Sequence, residues 1–386
     1  MLVLVINSGS SSLKYQVRDV AAGTVLTEGL IEKIGMGTGG GGDGEAEGPR
    51  DHAEALEQVD AAIHQELGDL ELGAVGHRVV HGGERFSEPV LVDNEITRAI
   101  ERLNPLAPLH NPANVLGIRA ITRKWPKMPQ VAVFDTAFHR TLPEHAWRYA
   151  VPEELYTKHG IRRYGFHGTS NEYVARRSAA LLDLPFEEFD GVIAHLGNGA
   201  SVTAVRGGRS VDTSMGFTPL EGLVMGTRSG DLDPSILVFL GRAGWTPEDL
   251  DFMLNRQSGL KGLAGSNDMR SVVEAAESGD ERAAMALAVA SYRLAKYIGG
   301  YHVAVGGAKA LVFTAGIGEN SQEFRAQVAD RLGALGVELD AGLNAERSTE
   351  PRVISTPSSA IPVLVVPTDE ERAIAEATAA VVSAGR

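Results

Sequence analysis

The chain carries one local pattern twice, half its length apart. Val3-Leu4-Val5-Ile6 is an apolar run that breaks at Asn7-Ser8-Gly9-Ser10-Ser11-Ser12 and resumes as an alternating strand from Leu13 through Val17. Val192-Ile193-Ala194 breaks at His195-Leu196-Gly197-Asn198-Gly199 and resumes at Ala200-Ser201-Val202, so that Asn7-x-Gly9 corresponds to His195-x-Gly197. Strand, polar residue, glycine turn and strand, once per half of a 386-residue chain, constrain the fold to two related α/β units with bare-backbone hairpin tips. Such a tip suits phosphate: small residues let N–H groups approach an anion, hydroxyls donate, and Lys14 adds charge. One loop alone would pass for a Ser-rich hairpin, since turns favour these residues anyway. A third glycine segment follows the buried-strand run Leu311-Val312-Phe313-Thr314. Ala315 to Asn320 reads as a bend and Ser321 onward as a helix, on which a ligand could rest.

Around these loops, strands are predicted at 2–7, 12–18, 24–31, 74–79, 131–134, 192–196, 201–206, 311–314 and 363–366. Helices are predicted at 52–67, 112–123, 170–182, 281–305 and 370–384. The alternation means α/β layers, and the length exceeds one hydrophobic core, so two domains are expected. The content of 43% hydrophobic and 22% charged residues is that of ordinary globular proteins. No apolar run approaches membrane-spanning length and no basic region precedes the first strand, which leads us to expect a cytoplasmic protein without membrane contact. The absence of cysteine removes disulfides, thiolate zinc sites and cysteine nucleophiles together. A net charge of −14 argues against nucleic acid as a partner and would repel an anionic substrate on average, so local positive charge should mark the site. Arg78, Arg228, Arg270 and Lys14 sit within glycine- or histidine-bearing motifs; most other basic residues read as solvated helix faces. The stretch Gly35 to Arg50 matches G-x-G-x-x-G at Gly35, Gly37 and Gly40. With no helix opening on it and with Glu45 and Glu47 following, it reads as a mobile surface loop rather than a dinucleotide site. The Walker pattern is absent.

Further motifs run along the chain: GHRVVHGGE (Gly76 to Glu84), LAPLHNP (Leu106 to Pro112), FDTAFH (Phe134 to His139), YGFHGTS (Tyr164 to Ser170), HLGNGAS, TRSGDLDP (Thr227 to Pro234), AGIGEN and PTDEE (Pro367 to Glu371). Together and in this order they resemble the acetate kinase family, part of the superfamily that holds sugar kinases, Hsp70 and actin. The resemblance implies an α/β fold of two domains with duplicated ribonuclease-H-like, actin-like ATPase cores. Residues 1–148 plus 372–386 would hold the first phosphate loop and acceptor-site residues, and 149–371 the nucleotide loops. It also implies reversible in-line transfer of the γ-phosphoryl group of ATP to acetate, giving acetyl phosphate and ADP, with Mg²⁺ or Mn²⁺, in a homodimer. The Ala-rich segment Ala283 to Tyr301 is either a partner surface or a core helix.

That reaction makes a physical demand on the residues. A carboxylate acceptor is ionised at neutral pH and needs no general base; the obstacle is anion meeting anion, about 4 kcal/mol for unit charges near 4 Å at an effective dielectric of 20. Arg78 suits the acceptor carboxylate because a guanidinium donates two parallel hydrogen bonds, the alternative being an ion pair with Glu84. By resemblance, Arg228 stabilises the phosphoryl group in transit; pairing with Asp231 or Asp233 is its other reading. His167, between Gly165 and Gly168, would donate to a phosphoryl oxygen. Asp135, after the strand Val131-Ala132-Val133-Phe134, would orient Arg78, Arg228 or a magnesium-bound water, whereas in a sugar kinase it would be the base. The resemblance places Val80, Leu109, Phe166 and Pro219 around the acetate methyl group, though each is also an ordinary core residue. It assigns the nucleotide to His195, Leu196, Gly197, Asn198 and Gly199, to Asp268, Met269 and Arg270, and to Gly316, Ile317, Gly318, Glu319 and Asn320, with Lys14 near the phosphates. It assigns the metal to Asn7 and one of Glu370 and Glu371. Thr368-x-x-Glu371 reads as a capping box, which engages Glu371 and leaves Glu370 for the metal. Asn171 stands where the family commonly has histidine and Asp369 where it usually has asparagine, the latter adding negative charge near the proposed metal. The rival readings are a propionate or butyrate kinase, an ATP-driven switch of the actin or Hsp70 kind, and a sugar kinase.

Overall fold

The run Leu2 to Ile6 has no polar alternation because its strand, β1 (Leu2–Ser8), is covered on both faces, as central strands of α/β sheets are. The computed structural model describes residues 1–35, 48–68 and 70–385 and divides into two compact units, Met1–Ala137 with Asp369–Arg386, and Phe138–Thr368. In the first unit β1 lies between β2 (Leu13–Asp19) and β4 (Ala74–Val79), with β3 (Thr24–Ile31), β5 (Val90–Leu91) and β6 (Gln130–Phe134) completing the order β3-β2-β1-β4-β6-β5. β1, β2 and β3 form an antiparallel meander, β1, β4 and β6 run parallel, and β5 returns antiparallel on β6. Leu4 and Ile6 point to one face, against Leu56 and Val59 of helix α1 (His52–Leu67) and Ile121 of helix α3 (Asn111–Lys124); α2 (Asn94–Glu101) packs beside α3. Val3 and Val5 point to the other, where Ile374 and Val382 of the C-terminal helix Glu370–Ala384 cover them. That helix lies so close to β4 that a Cβ at Gly76 would stand 2.4 Å from Thr378 Oγ1.

The second unit repeats this sheet strand for strand. β7 (Gly191–Leu196), β8 (Ala200–Arg206) and β9 (Arg209–Thr213) form the meander, β7, β10 (Leu311–Thr314) and β12 (Val363–Val365) run parallel, and β11 (Arg352–Val353) returns antiparallel on β12. The order β11-β12-β10-β7-β8-β9 is the first unit's order reversed. Even the register shift in the second strand recurs, between Val17 and Arg18 and between Ala204 and Val205. The duplicated α/β core expected from the paired loops is therefore present.

The units divide at 137/138 and 368/369, whereas the sequence reading placed the divisions at 148/149 and 371/372. Phe138 and the residues after it stay with the second unit because the His139 ring is buried there, Nε2 2.9 Å from the carbonyl of Phe166 and Nδ1 2.8 Å from Ser210 Oγ. The bend expected at Ala315 to Asn320 is a short helix, followed by a second over Gln322–Asp330. Among the described residues no helix is long and apolar enough to cross a membrane. Most of the glycine-rich stretch read as a surface loop, residues 36–47, lies outside the described residues.

Candidate active site

The first unit assembles its candidate residues at the C-terminal ends of β1, β4 and β6, where an open α/β sheet places its ligands. Arg78 on β4 and Asp135 just past β6 meet as a two-pronged pair, Nε to Oδ1 at 3.1 Å and Nη2 to Oδ2 at 2.6 Å. The Asp135 side chain is 2% exposed and that of Arg78 21%. Burial works against the Arg78 charge, but the carboxylates of Asp135 and Glu370 outweigh it and hold the guanidinium more firmly protonated than usual. Glu370 Oε2 lies 3.8 Å from Arg78 Nε, and Glu370 makes no hydrogen bond among the described residues.

Around this pair, α3 grips the backbone of two loops. Asn114 accepts from the Val80 N–H at 3.1 Å and donates to the Ser8 carbonyl at 2.9 Å, while Asn111 accepts from the His81 N–H and donates to the His81 carbonyl. A Cβ at Gly117 would stand 2.3 Å from Ser8 Oγ, so α3 touches the first glycine loop directly. Val80 is buried, Leu109 is half exposed and Asn7 is partly exposed.

The start of the C-terminal helix departs from the expected capping box. Asp369, not Thr368, is the N-cap, its Oδ1 accepting from the Arg372 N–H at 3.0 Å. The Thr368 N–H donates to Glu319 Oε1 at 3.1 Å, and Glu371 pairs with Lys14 at 2.5 Å. A short carboxylate at the helix start competes well for the free N–H groups, and Glu371 has a cation to satisfy it. Burial pushes the Glu371 carboxyl up, yet Lys14 holds it below the ordinary range. The extra charge of Asp369 is also compensated: both its oxygens meet Nη2 of the buried Arg18, at 2.8 and 2.7 Å.

In the second unit the glycine loop between β7 and β8 collects the other candidates. A Cβ at Gly199 would lie 3.4 Å from Arg228 Nη1 and 3.6 Å from His167 Nε2, so glycine there leaves both side chains facing the same loop. His167 caps the helix Gly168–Leu181 with φ 58°, a left-handed conformation rare outside glycine and stored at functional sites. Its Nδ1 is 3.0 Å from Ser201 Oγ and its ring stacks on His195 at 4.1 Å. Arg228 donates to the Pro219 carbonyl at 3.0 Å and lies 3.8 Å from the Met225 sulfur; among the described residues no carboxylate pairs it, and Asp231 bonds instead to Gly222 and Tyr297. Burial, and secondarily the charge of Arg256, lowers its pKa. Phe166 is buried and Pro219 partly so.

The three nucleotide segments named from the sequence converge here on a cavity of about 20 Å³ lined by Leu196, Gly197, Met225, Met269 and Ile317 among others. Within them, Met269 is core, Glu319 is raised in pKa by burial and accepts from the Ala315 and Thr368 N–H groups, and Asn320 donates to the Gly316 carbonyl. Asp268 caps the helix Met269–Glu277 and holds the exposed Arg270 at 2.9 Å. Asn198 accepts weakly from Asn267 and its carbonyl receives the Gly226 N–H. Sequence reasoning missed Ser170, whose Oγ joins His195 Nδ1 at 2.8 Å to Thr368 Oγ1 at 2.7 Å, and Ser201, Asn111, Asn114 and Arg18. Ser170, Ser201 and Asn111 lie inside quoted motifs, so motif membership was the available signal; Asn114 lies two residues past one, and for Arg18, on a strand face, there was none.

A duplicated α/β core with paired glycine hairpins, a carboxylate-braced arginine and a second, uncompensated arginine beside a strained histidine defines a phosphotransferase of two related domains. Residues 2–376 match the model of the acetokinase family. The chain is 90% identical over 386 residues, the full length of both, to an acetate kinase of Pseudarthrobacter chlorophenolicus, and 62% identical to one of Micrococcus luteus over 98% of each chain. Among solved structures it is similar to Porphyromonas gingivalis acetate kinase, with 42% identity, TM-score 0.92 and 99% of each chain covered. It is also similar to a Francisella tularensis propionate kinase, with 41% identity, TM-score 0.91 and 97% and 98% covered. The chain belongs to the acetokinase family, kinases that transfer phosphate to a carboxylate.

Proposed function

We propose that this kinase transfers the γ-phosphoryl group of ATP to acetate, reversibly and in line, giving acetyl phosphate and ADP, in the cytoplasm where ATP is supplied. The observation that carries the reading is the state of Asp135. Both its oxygens are engaged by one guanidinium, so it is built to orient Arg78 rather than to take a proton, which suits an ionised acceptor and disfavours a sugar hydroxyl. Asp135 occupies Nε and Nη2 of Arg78, and the remaining edge, Nη1, is offered to the acceptor carboxylate. The family resemblance assigns its methyl group to Val80, Leu109, Phe166 and Pro219. Arg228 and His167 donate to the phosphoryl oxygens, where charge accumulates in transit, and the loops at His195 to Gly199, Asp268 to Arg270 and Gly316 to Asn320, with Lys14, bind the nucleotide.

The donor set at Asn7 and Glu370, an amide oxygen and a carboxylate without a hydrogen bond among the described residues, fits a hard divalent cation that keeps most of its waters. Mg²⁺ or Mn²⁺ held there would neutralise phosphate charge. The proposed partner is a second copy of the chain. The helix Ser235–Arg242 has no buried residue and exposes Ile236, Val238 and Phe239, the last 70% accessible, whereas the Ala-rich helix Glu281–Val305 buries one face, 10 of its 25 residues, in the core. Light scattering on the natural chain and on Phe239→Glu tests this: a dimer that the substitution converts to monomer is expected, and a natural monomer would refute it.

The function is tested by ATP turnover with Mg²⁺ and hydroxylamine, which traps acyl phosphates, across acetate, propionate, butyrate, glycerol and no acceptor. Hydroxamate formed best with acetate is expected. Best turnover with propionate would move the chain to the longer-acid kinases. ADP release equal with and without acceptor would refute the kinase reading altogether.

A further inference from the structure

The first unit holds a second basic feature that the proposed chemistry does not use. Between α2 and α3 lies a groove of about 400 Å³ lined by Asn94, Thr97, Arg98, Arg119, Thr122 and Arg123. Its size falls within the range of small-molecule sites. Asn94 and Arg98 are one helical turn apart on α2, and Arg119 and Arg123 one turn apart on α3, so each helix presents one face to the groove. Like charges at that spacing disfavour the helix, which calls for a compensating anion.

The chain itself supplies little compensation. Several exposed arginines elsewhere pair with a nearby carboxylate, among them Arg50 with Glu54, Arg148 with Glu153, Arg176 with Glu172, Arg270 with Asp268 and Arg372 with Glu376. In the groove only Arg119 does so, with Glu101 at 2.7 Å, and that pair is 46% and 41% exposed and so readily exchanged. Arg98 uses Nε on the Asn94 carbonyl, and Arg123 makes no hydrogen bond or ion pair among the described residues, though its charge reaches Asp51. In a chain of net charge −14 this is a local reversal of sign. The Thr97 and Thr122 hydroxyls donate to the carbonyls of Asp93 and Ile118, so recognition would rest on the guanidinium forks.

We infer that this groove binds a small polyanion, a molecule with at least two carboxylate or phosphate groups, at a site separate from the catalytic residues. Asn111 and Arg123 lie about 18 Å apart along α3 at 1.5 Å per residue. Yet the same helix holds Val80, His81 and Ser8 through Asn111 and Asn114, so a ligand that ties α3 to α2 stiffens the support of the acceptor-side loops.

Isothermal titration of the full chain, without divalent metal, with tricarballylate and separately with inorganic pyrophosphate, tests the site. At least one probe is expected to bind with a Kd of about 10 μM to 1 mM, weakened at least about tenfold in Arg98→Gln/Arg123→Gln. That variant should keep the natural hydroxamate activity when no probe is present. Binding of both probes means that charge alone is read, and binding of one identifies the carboxylate or phosphate source. Absence of binding by either up to about 10 mM, or equal binding by the variant, overturns the inference. Arg123→Gln alone, an exposed helix position, gives the same comparison with a smaller loss should the double variant fold poorly.

Discussion

Removing both members of the Arg78–Asp135 pair should cost clearly less than the sum of removing each alone. With Asp135 only 2% exposed, Arg78→Met leaves a carboxylate stranded out of water; Asp135→Ala leaves the guanidinium with Glu370 alone, at 3.8 Å. Breaking a buried pair from one side costs about 3–5 kcal/mol, with Asp135→Ala expected at the low end because Glu370 still faces Arg78. The double variant has neither stranded charge and should lose less than the sum by at least about 2 kcal/mol, the size of coupling seen for residues in direct contact. Urea unfolding at neutral pH, followed by far-UV circular dichroism and extrapolated to water, supplies all four corners of the cycle. The same variants assayed with hydroxylamine should both raise the KM for acetate, Asp135→Ala because Arg78 is no longer held in its fork geometry. Additive losses, or an unchanged acetate KM in Asp135→Ala, would refute the reasoning, since an independent general base would lower kcat without disturbing acceptor binding.

Glu370→Ala should shift the Mg²⁺ dependence of turnover far more than Glu371→Ala, which instead releases Lys14; the reverse ranking in a Mg²⁺ titration would sink the metal assignment. Gly117→Ala places a methyl group 2.3 Å from Ser8 Oγ, and the overpacking, about 1–3 kcal/mol, should outweigh the roughly 1 kcal/mol gained in helix propensity, so a Tm at or above that of the natural chain would contradict the contact. His77 and His139 are buried, and desolvation lowers both from the usual value near 6.5 to about 4. Between those limits the unfolded chain takes up protons that the folded chain refuses, so stability is complete above pH 6.5 and falls toward pH 4, by up to about 3 kcal/mol for each ring. Urea midpoints unchanged from pH 7 to pH 5 would show that the rings titrate normally.

What was legible in the sequence follows from how local the cause is. The paired loops announced the duplicated sheet because a buried central strand and a glycine turn are both written in a few adjacent residues. The strands β5, β9 and β11 were not foreseen: β5 and β11 have two residues each, too few to show a period, and β9 is set by the turn at Gly207 and Gly208. The cap of the C-terminal helix shows the other limit. Thr368-x-x-Glu371 and Asp369-x-x-Arg372 are both acceptable starts, and the choice is made by Lys14, Ser170 and Glu319, far away in sequence. Arg78 and Asp135 were each marked by a strand end, but that they bond to each other, rather than to Glu84 or a metal-bound water, depends on β4 and β6 being neighbours in register, Arg78 opposite Val133.

The two arginines of the candidate site show how one residue type is prepared for two tasks. Arg78 is balanced by Asp135, with Glu370 nearby, so its position is fixed and its charge largely offset; in the reaction proposed above it would contribute direction, a planar edge for the acceptor carboxylate. Among the described residues Arg228 is held by the Pro219 carbonyl and the Met225 sulfur, neutral acceptors that fix its place without cancelling its charge, and burial already disfavours its protonated state. Its charge is therefore unrelieved until an anion reaches the loop at Gly199. An interaction that strengthens as negative charge gathers on the transferring phosphoryl group acts on the transition state more than on the bound substrates, which is the condition for it to accelerate the reaction rather than tighten binding.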